Sequence, residues 1–552
     1  MRFGAVSGLV TAAIGLFTSL PAPAGETSAK PARAGVASES RLVSREALAV
    51  LRAGGNATDA AITAALVAGV VSPSSSGLGG GGFALSWQAG EARATILDFR
   101  ETAPGAVDVE AFERRPLPAS ERGKLVGVPA ESIGLAELHR RFGKRPWREL
   151  VAPAERLARD GFPVEAHLAS VLADQNAANY RRMASVEQSF WPGGKLAVAG
   201  TRVKRPKLAK TLGRLATEGP RAIQAGPIAQ DVVTAVRALG GALSRDDLSN
   251  YRVRERTPLR LAWEGNEVLT MPPPSAGGVF LVQVLGSFGA TELSRLGAQS
   301  PLRIHLLAET MRGAIADRAR YLGDPDFLPI DVEQLFAPAR LAARRASSHP
   351  ERTRPVRALA AEDRGTHAIV VADASGNVVS LTTTVNSGFG AEIEGEASGI
   401  VLNDELDDFA SKKSSRELGV LHPPNQARPF ARPASSMAPT LVLRGGRPLL
   451  VLGGSGGTRI PPNMVQVLFA SLVDGATPEA ALRVPRFRPQ GGDFTLGLEA
   501  SFSSVDTADL TRRGEVVQTN ENPTSSVQLL SFGADGVRGA ADPRKFGAAL
   551  VY

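Results

Sequence analysis

The chain has 552 residues and no cysteine, so a disulfide scaffold and a thiolate zinc site are both excluded. Beyond the first residues no stretch reaches ~18 uninterrupted apolar positions, which excludes a polytopic membrane protein. Glycine (58) and proline (38) are too few and too irregular for a collagen-like repeat. Charge of one sign is scarce as well. The balance of 63 Lys+Arg against 55 Asp+Glu leaves +8 over the whole chain, and without a basic stripe this points away from nucleic acid. What is present is ordinary for a folded protein: 43% hydrophobic and 21% charged residues, enough for a sizeable core and too apolar for disorder throughout. At ~150 residues per domain the length is three to four domains' worth of material. No internal repeat is visible.

The first residues have a separate job. Met1-Arg2 is a short basic start, Gly4 to Leu20 is small and apolar, and Ala22-Pro23-Ala24 offers an A-x-A exit before Gly25. This pattern predicts a signal peptide over 1–24, favoured over an anchor, and a periplasmic or secreted protein with no stable membrane span after its removal.

Further along, 45–70 reads as two helices broken at Gly54-Gly55-Asn56, with Asn56 or Thr58 as N-cap. A Gly-rich turn, Ser76 to Gly82, precedes the strand-like FALSWQ and RATILDF, which run into Asp98-Phe99-Arg100-Glu101. Residues 130–345 carry mostly helical spacing. From 366 the pattern changes to short alternating runs, with DASGN and RGGR as hairpin turns. Between these halves, 339–364 is rich in Arg, Ala and Pro and reads as an exposed linker.

Two familiar motifs fail on context. Gly77 to Gly82 fits G-x-G-x-x-G but lies between a helix and a strand, the wrong order for a dinucleotide site. Gly453-Gly454-Ser455-Gly456-Gly457 fits G-x-S-x-G, yet all six histidines precede Ser455, whereas a nucleophile elbow needs its His afterwards. What remains there is a loop of closely spaced N–H groups suited to an oxyanion. No H-E-x-x-H or histidine pair at ligand spacing occurs, and no metal or cofactor is expected. The acidic run Asp404-Glu405-Leu406-Asp407-Asp408 reads as a solvated turn, a hard-cation site or an ammonium site.

Gly365-Thr366 joins the Arg-rich linker to the first strand of the β-rich half. Cut before Thr366, the chain would expose a hydroxyl nucleophile with its own α-amine, whose reference pKa of ~8 suits a general base.

Together these blocks resemble the γ-glutamyltransferase (γ-glutamyl transpeptidase, glutathione hydrolase) family of N-terminal nucleophile hydrolases. The likeness runs from about Ser44 to Tyr552. It is carried in order by GGNATDAA with SSGLGGGGF, DFRETAP, ADRARYLGDPDF, the Thr366 region, SGIVLNDELDDF, RPASSMAPT, GGSGGTRI and ADPRKFGAALVY. The resemblance implies an α+β fold, a four-layer αββα sandwich. It also implies a precursor cut between Gly365 and Thr366 into a large subunit, 25–365, and a small subunit, 366–552. Thr366 matches the nucleophile, Thr384 the threonine that orients it, and Gly456 and Gly457 the oxyanion donors. Arg100, with Ser435 and Ser436, matches the grip on the substrate α-carboxylate. Asn386, Glu405 and Asp408 match the ammonium pocket, while Asp404 and Asp407 keep the solvated reading. The implied partners are γ-glutamyl compounds such as glutathione and amine acceptors.

Two features depart from the family. Thr366-His367-Ala368 stands where Thr-Thr-His is common, and 412–432, at the position of a lid in some relatives, has no Tyr or Trp. The rival readings are a glutaryl-type cephalosporin acylase on the same scaffold and a non-catalytic exported binding protein.

Overall fold

The computed structural model describes residues 32–354, 365–411, 420, 422–490, 494–519 and 525–552. The expected signal peptide, the end of the linker (355–364) and part of the expected lid (412–419 and 421) lie outside these residues.

Two antiparallel sheets form the centre. The first contains β1 (Gly35–Ser38), β2 (Gly81–Gln88), β3 (Arg93–Phe99) and β4 (Arg254–Arg256). The second begins with β5 (Leu259–Trp263) and β6 (Asn266–Thr270). The first sheet then takes β7 (Gly365–Ala372) and β8 (Val378–Asn386). The second takes β9 (Thr440–Arg444), β10 (Arg447–Ser455), β11 (Ser526–Gly533) and β12 (Gly536–Ala541), and β13 (Ala548–Val551) returns to the first. Strand order is β13-β1-β7-β8-β2-β3-β4 in one sheet and β12-β11-β10-β9-β6-β5 in the other.

Each central strand divides its side chains between two cores, because successive residues point to opposite faces. In β7, Ile369 and Val371 join one buried cluster, while Val370 and Ala372 join the other. The first cluster packs under α1 (Arg41–Arg52) and α2 (Ala57–Val71). The second fills the space between the sheets and continues beneath α3 (Ala276–Gly286), α4 (Pro301–Tyr321) and α5 (Ile460–Leu472). The layers are therefore helix, sheet, sheet, helix, as expected. No single helix among the described residues is long and apolar enough to cross a membrane.

Residues 130–345 are mostly helical, as expected, but β5 and β6 form a hairpin there, turned at Glu264-Gly265, both at positive φ (51° and 72°). One expectation needs correction. The supposed linker begins as a helix, Pro338–Ser347. Its Ala- and Arg-rich run favours helix, Leu341 is buried, and Arg340 and Arg344 reach back to Asp317.

Candidate active site

The start of β7 carries Thr366, which is buried. Register pairs Thr366 with Thr384 across β7 and β8, and a bulge after Thr384 then pairs Gly365 with Asn386. The Thr384 hydroxyl donates to the Gly365 carbonyl oxygen at 2.7 Å and lies 3.3 Å from the Thr366 hydroxyl oxygen. Its own oxygen accepts the Asn386 N–H at 2.8 Å. One hydroxyl thus touches both the carbonyl that would be cleaved and the group that would attack it. Gly365 has no room for a side chain, since a Cβ would strike the carbonyl oxygens of Asn386 and Ser387.

The loop expected to hold the oxyanion follows a strand of the second sheet, and Lys545 Nζ reaches both its Ser455 hydroxyl and the Thr366 carbonyl. β10 ends at Ser455, Gly456 and Gly457 follow at φ 112° and 60°, and α5 begins three residues later. Positive φ turns the chain sharply here and favours glycine.

Arg100, just past β3, is buried among acids. Its guanidinium donates to Glu405 Oε1 and, at 2.5 Å, to Asp408 Oδ2, and its Nε donates to the Pro433 carbonyl at 3.3 Å. The proposed carboxylate grip and ammonium pocket are therefore in contact. Glu405 Oε2 and Asn386 Oδ1 are buried acceptors without a hydrogen-bond partner. Asn386 Nδ2 donates to the Asp404 carbonyl at 3.2 Å, which holds the amide and fixes its direction. Such unsatisfied acceptors in a buried site suit a donor cation. Ser435 Oγ accepts from the Met437 N–H at 3.1 Å, and Ser436 Oγ accepts from Arg318. Both serines lie close in sequence to the Pro433 carbonyl that holds Arg100.

Asp404 overturns its solvated reading. It is buried, its Oδ1 accepts from Ser387 N–H at 2.9 Å, and burial pushes its carboxyl up to about 7. Asp407 is exposed and pairs with Arg115, as a surface acid would. Behind Arg100, Glu101 and Glu131 are fully buried, and burial raises both carboxyls to about 8. His367, in place of the more common threonine, is also buried, and burial holds its ring down to about 4. The Gly-rich turn packs against β8 and Val401. Asn403 fastens it there by donating to the Gly79 and Gly127 carbonyls at 2.7 and 3.0 Å, while its Oδ1 accepts the Glu405 N–H at 3.0 Å.

Sequence reasoning assigned no role to Asp404, Asn403 or Arg318. All three lie inside recognisable blocks, but residue type alone did not show which way they point.

A family profile described as Gamma-glutamyltranspeptidase matches residues 44–552. The chain is 35% identical over 539 residues to a glutathione hydrolase proenzyme of Pseudomonas aeruginosa, covering 94% of each chain. It is 33% identical over 524 residues to the Escherichia coli K12 protein of the same name, covering 92% of this chain and 90% of that one. Among solved structures, a cephalosporin acylase from Bacillus halodurans superimposes with a TM-score of 0.84 at 25% identity, covering 97% of this chain and 98% of that one.

Proposed function

The chain belongs to the γ-glutamyltranspeptidase family, and from that premise we propose that it cleaves itself before Thr366 and then cleaves γ-glutamyl amides, glutathione among them. The observation that carries this reading is the Thr384 hydroxyl between the Gly365 carbonyl and Thr366 Oγ.

In self-cleavage, Thr366 Oγ attacks the Gly365 carbonyl carbon, and the Thr384 O–H stabilises the oxyanion that forms. The C–N bond then breaks as the proton lost by the Thr366 hydroxyl passes to the departing nitrogen, which frees the Thr366 amine and leaves the Gly365 acyl group as an ester on Thr366 Oγ. Water hydrolyses the ester to a Gly365 carboxylate and a free Thr366 hydroxyl, giving subunits of 25–365 and 366–552. In turnover the α-amine takes the proton from Thr366 Oγ, which attacks the γ-carbonyl. Gly456 and Gly457 N–H groups hold the oxyanion, and the leaving amine departs with the proton. Water, or an amino acid or peptide amine, resolves the γ-glutamyl ester. Arg100 with Ser435 and Ser436 receives the α-carboxylate, and Asn386, Glu405 and Asp408 receive the α-ammonium.

Thr366→Ala is expected to remain a single chain, and the wild-type small subunit to begin Thr-His-Ala. Gel mobility and N-terminal sequencing check both. Export with loss of residues 1–24 belongs to the same reading, supported by the apolar run and Ala22-Pro23-Ala24. An intact Met1 in the mass spectrum of the mature native protein would contradict it. A second reading, a glutaryl-type acylase, is favoured by the superposition on the Bacillus halodurans enzyme and is separated by the donor comparison in the Discussion.

A further inference from the structure

Ser455, set aside above as a nucleophile, points into the molecule. Its hydroxyl accepts from Lys545 Nζ at 2.7 Å and lies 3.1 Å from Ser526 Oγ. Lys545 is buried, and its ammonium also donates to the Thr366 carbonyl at 3.2 Å and to Glu39 Oε2 at 3.0 Å. The other Glu39 oxygen accepts from Ala368 N–H at 3.2 Å and Ser526 Oγ at 3.0 Å. One cation therefore joins the first residue of the expected small subunit, the residue before the oxyanion glycines, and an acid from the expected large subunit.

We infer that Lys545 is a positioning residue: it clamps the Thr366 end of β7 to the oxyanion loop and, with Glu39 as counter-ion, sets the charge beside the Thr366 amine. This rests on the γ-glutamyl N-terminal nucleophile reading. A cation at the Thr366 carbonyl is only a few bonds from the amine exposed by cleavage, and it favours the unprotonated form that acts as base. Glu39 opposes that effect. Although burial pushes its carboxyl up, the Lys545 charge and hydrogen bonds bring it below its ordinary value, so it is an anion. The neighbouring ionisable groups are His367 and His167, both held down to about 4 chiefly by burial, and Asp404 near 7. Neither substitution below changes these three side chains.

The test measures kcat/KM for a γ-glutamyl anilide against pH in wild type, Lys545→Met and Glu39→Gln. Lys545→Met should move the acidic limb up by about one pH unit and Glu39→Gln should move it down, by an amount of similar order. Lys545→Met should also lower kcat at least about tenfold with a smaller change in KM, as expected for lost alignment. A merely structural role predicts lower activity without opposite shifts. Limbs that stay put, or move the same way, overturn the inference. If Lys545→Met remains one chain, the direction of the Glu39→Gln shift decides. If both stay soluble and uncleaved, the role in turnover is overturned. A wild-type chain that never yields a Thr366 N-terminus defeats the underlying reading instead.

Discussion

Arg100 sits in an ion triad with Glu405 and Asp408, and on the function proposed above a substrate has to open it. Its guanidinium is held by the buried Glu405 and the half-buried Asp408, so a ligand carrying only a carboxylate would free both acids and leave them without a cation. A γ-glutamyl donor brings both charges: its carboxylate replaces the acids on Arg100, and its ammonium replaces Arg100 on the acids. A glutaryl donor lacks the second half of that exchange, and an unpaired buried charge costs several kcal/mol. The expected preference for γ-glutamyl over glutaryl donors is at least about a hundredfold in kcat/KM, or ~2.7 kcal/mol. Asp408→Asn should lose most γ-glutamyl activity and narrow the gap. Equal wild-type rates with the two donors would show that the ammonium pocket lies elsewhere. Thr384 gives a second prediction at this scale. Thr384→Ala should slow self-cleavage about a hundredfold or more, the usual effect of removing one oxyanion donor, whereas Thr384→Ser should retain most of it. A time course of precursor conversion distinguishes them.

Among the elements, those written in local chemistry were legible. Asn56 caps α2 as expected, in a capping box with Asp59, and the turns after β7 and β9 fall at DASGN and RGGR. The β5–β6 hairpin was hidden because Leu259 to Thr270 is a short apolar alternation between helices, and Glu-Gly is a weaker turn signal than Asn-Gly. Asp404 was misread for another reason: adjacent acids look alike in sequence, and only the bulge after Thr384 decides which of them is covered. Asp59 offers an element-level test. Beyond the capping box, its carboxylate accepts the N–H groups of Lys144 and Arg145 at 2.9 to 3.2 Å. Asp59→Ala would remove the acceptor of these part-buried donors together with the capping box and should destabilise the protein by about 1–3 kcal/mol, read as a fall in denaturant midpoint. Asp59→Asn should recover part of the loss.

Across the whole molecule, the buried acids set how stability follows pH. Glu101 and Glu131 keep their protons in the fold up to about 8, against 4.5 ordinarily. Their contribution is therefore full below about 4.5 and is lost as pH rises towards 8. His367 acts oppositely: its ordinary value is 6.5 and its folded value about 4, so its contribution is present above 6.5 and is lost as pH falls through 4. Melting temperature across pH 4 to 9 should show both slopes, with Glu101→Gln and Glu131→Gln flattening the alkaline one. An unchanged alkaline slope in both variants would mean that these acids are charged in the fold.

The strand order carries a last consequence. A cut before Thr366 leaves β1 seated between β7 and β13, and leaves β8 against β2, so neither product contains a complete sheet. The two pieces are then laced together like the strands of a splice, and separating them would leave strand edges of both sheets unpaired. Isotopically heavy and light mature enzyme, mixed and incubated under native conditions, should yield no hybrid by native mass spectrometry. Hybrids formed without denaturation would show that each piece keeps a folded state of its own. Cutting is then a one-way step: the precursor can fold because it is continuous, and the finished enzyme is a molecule whose halves have no route back to being assembled separately.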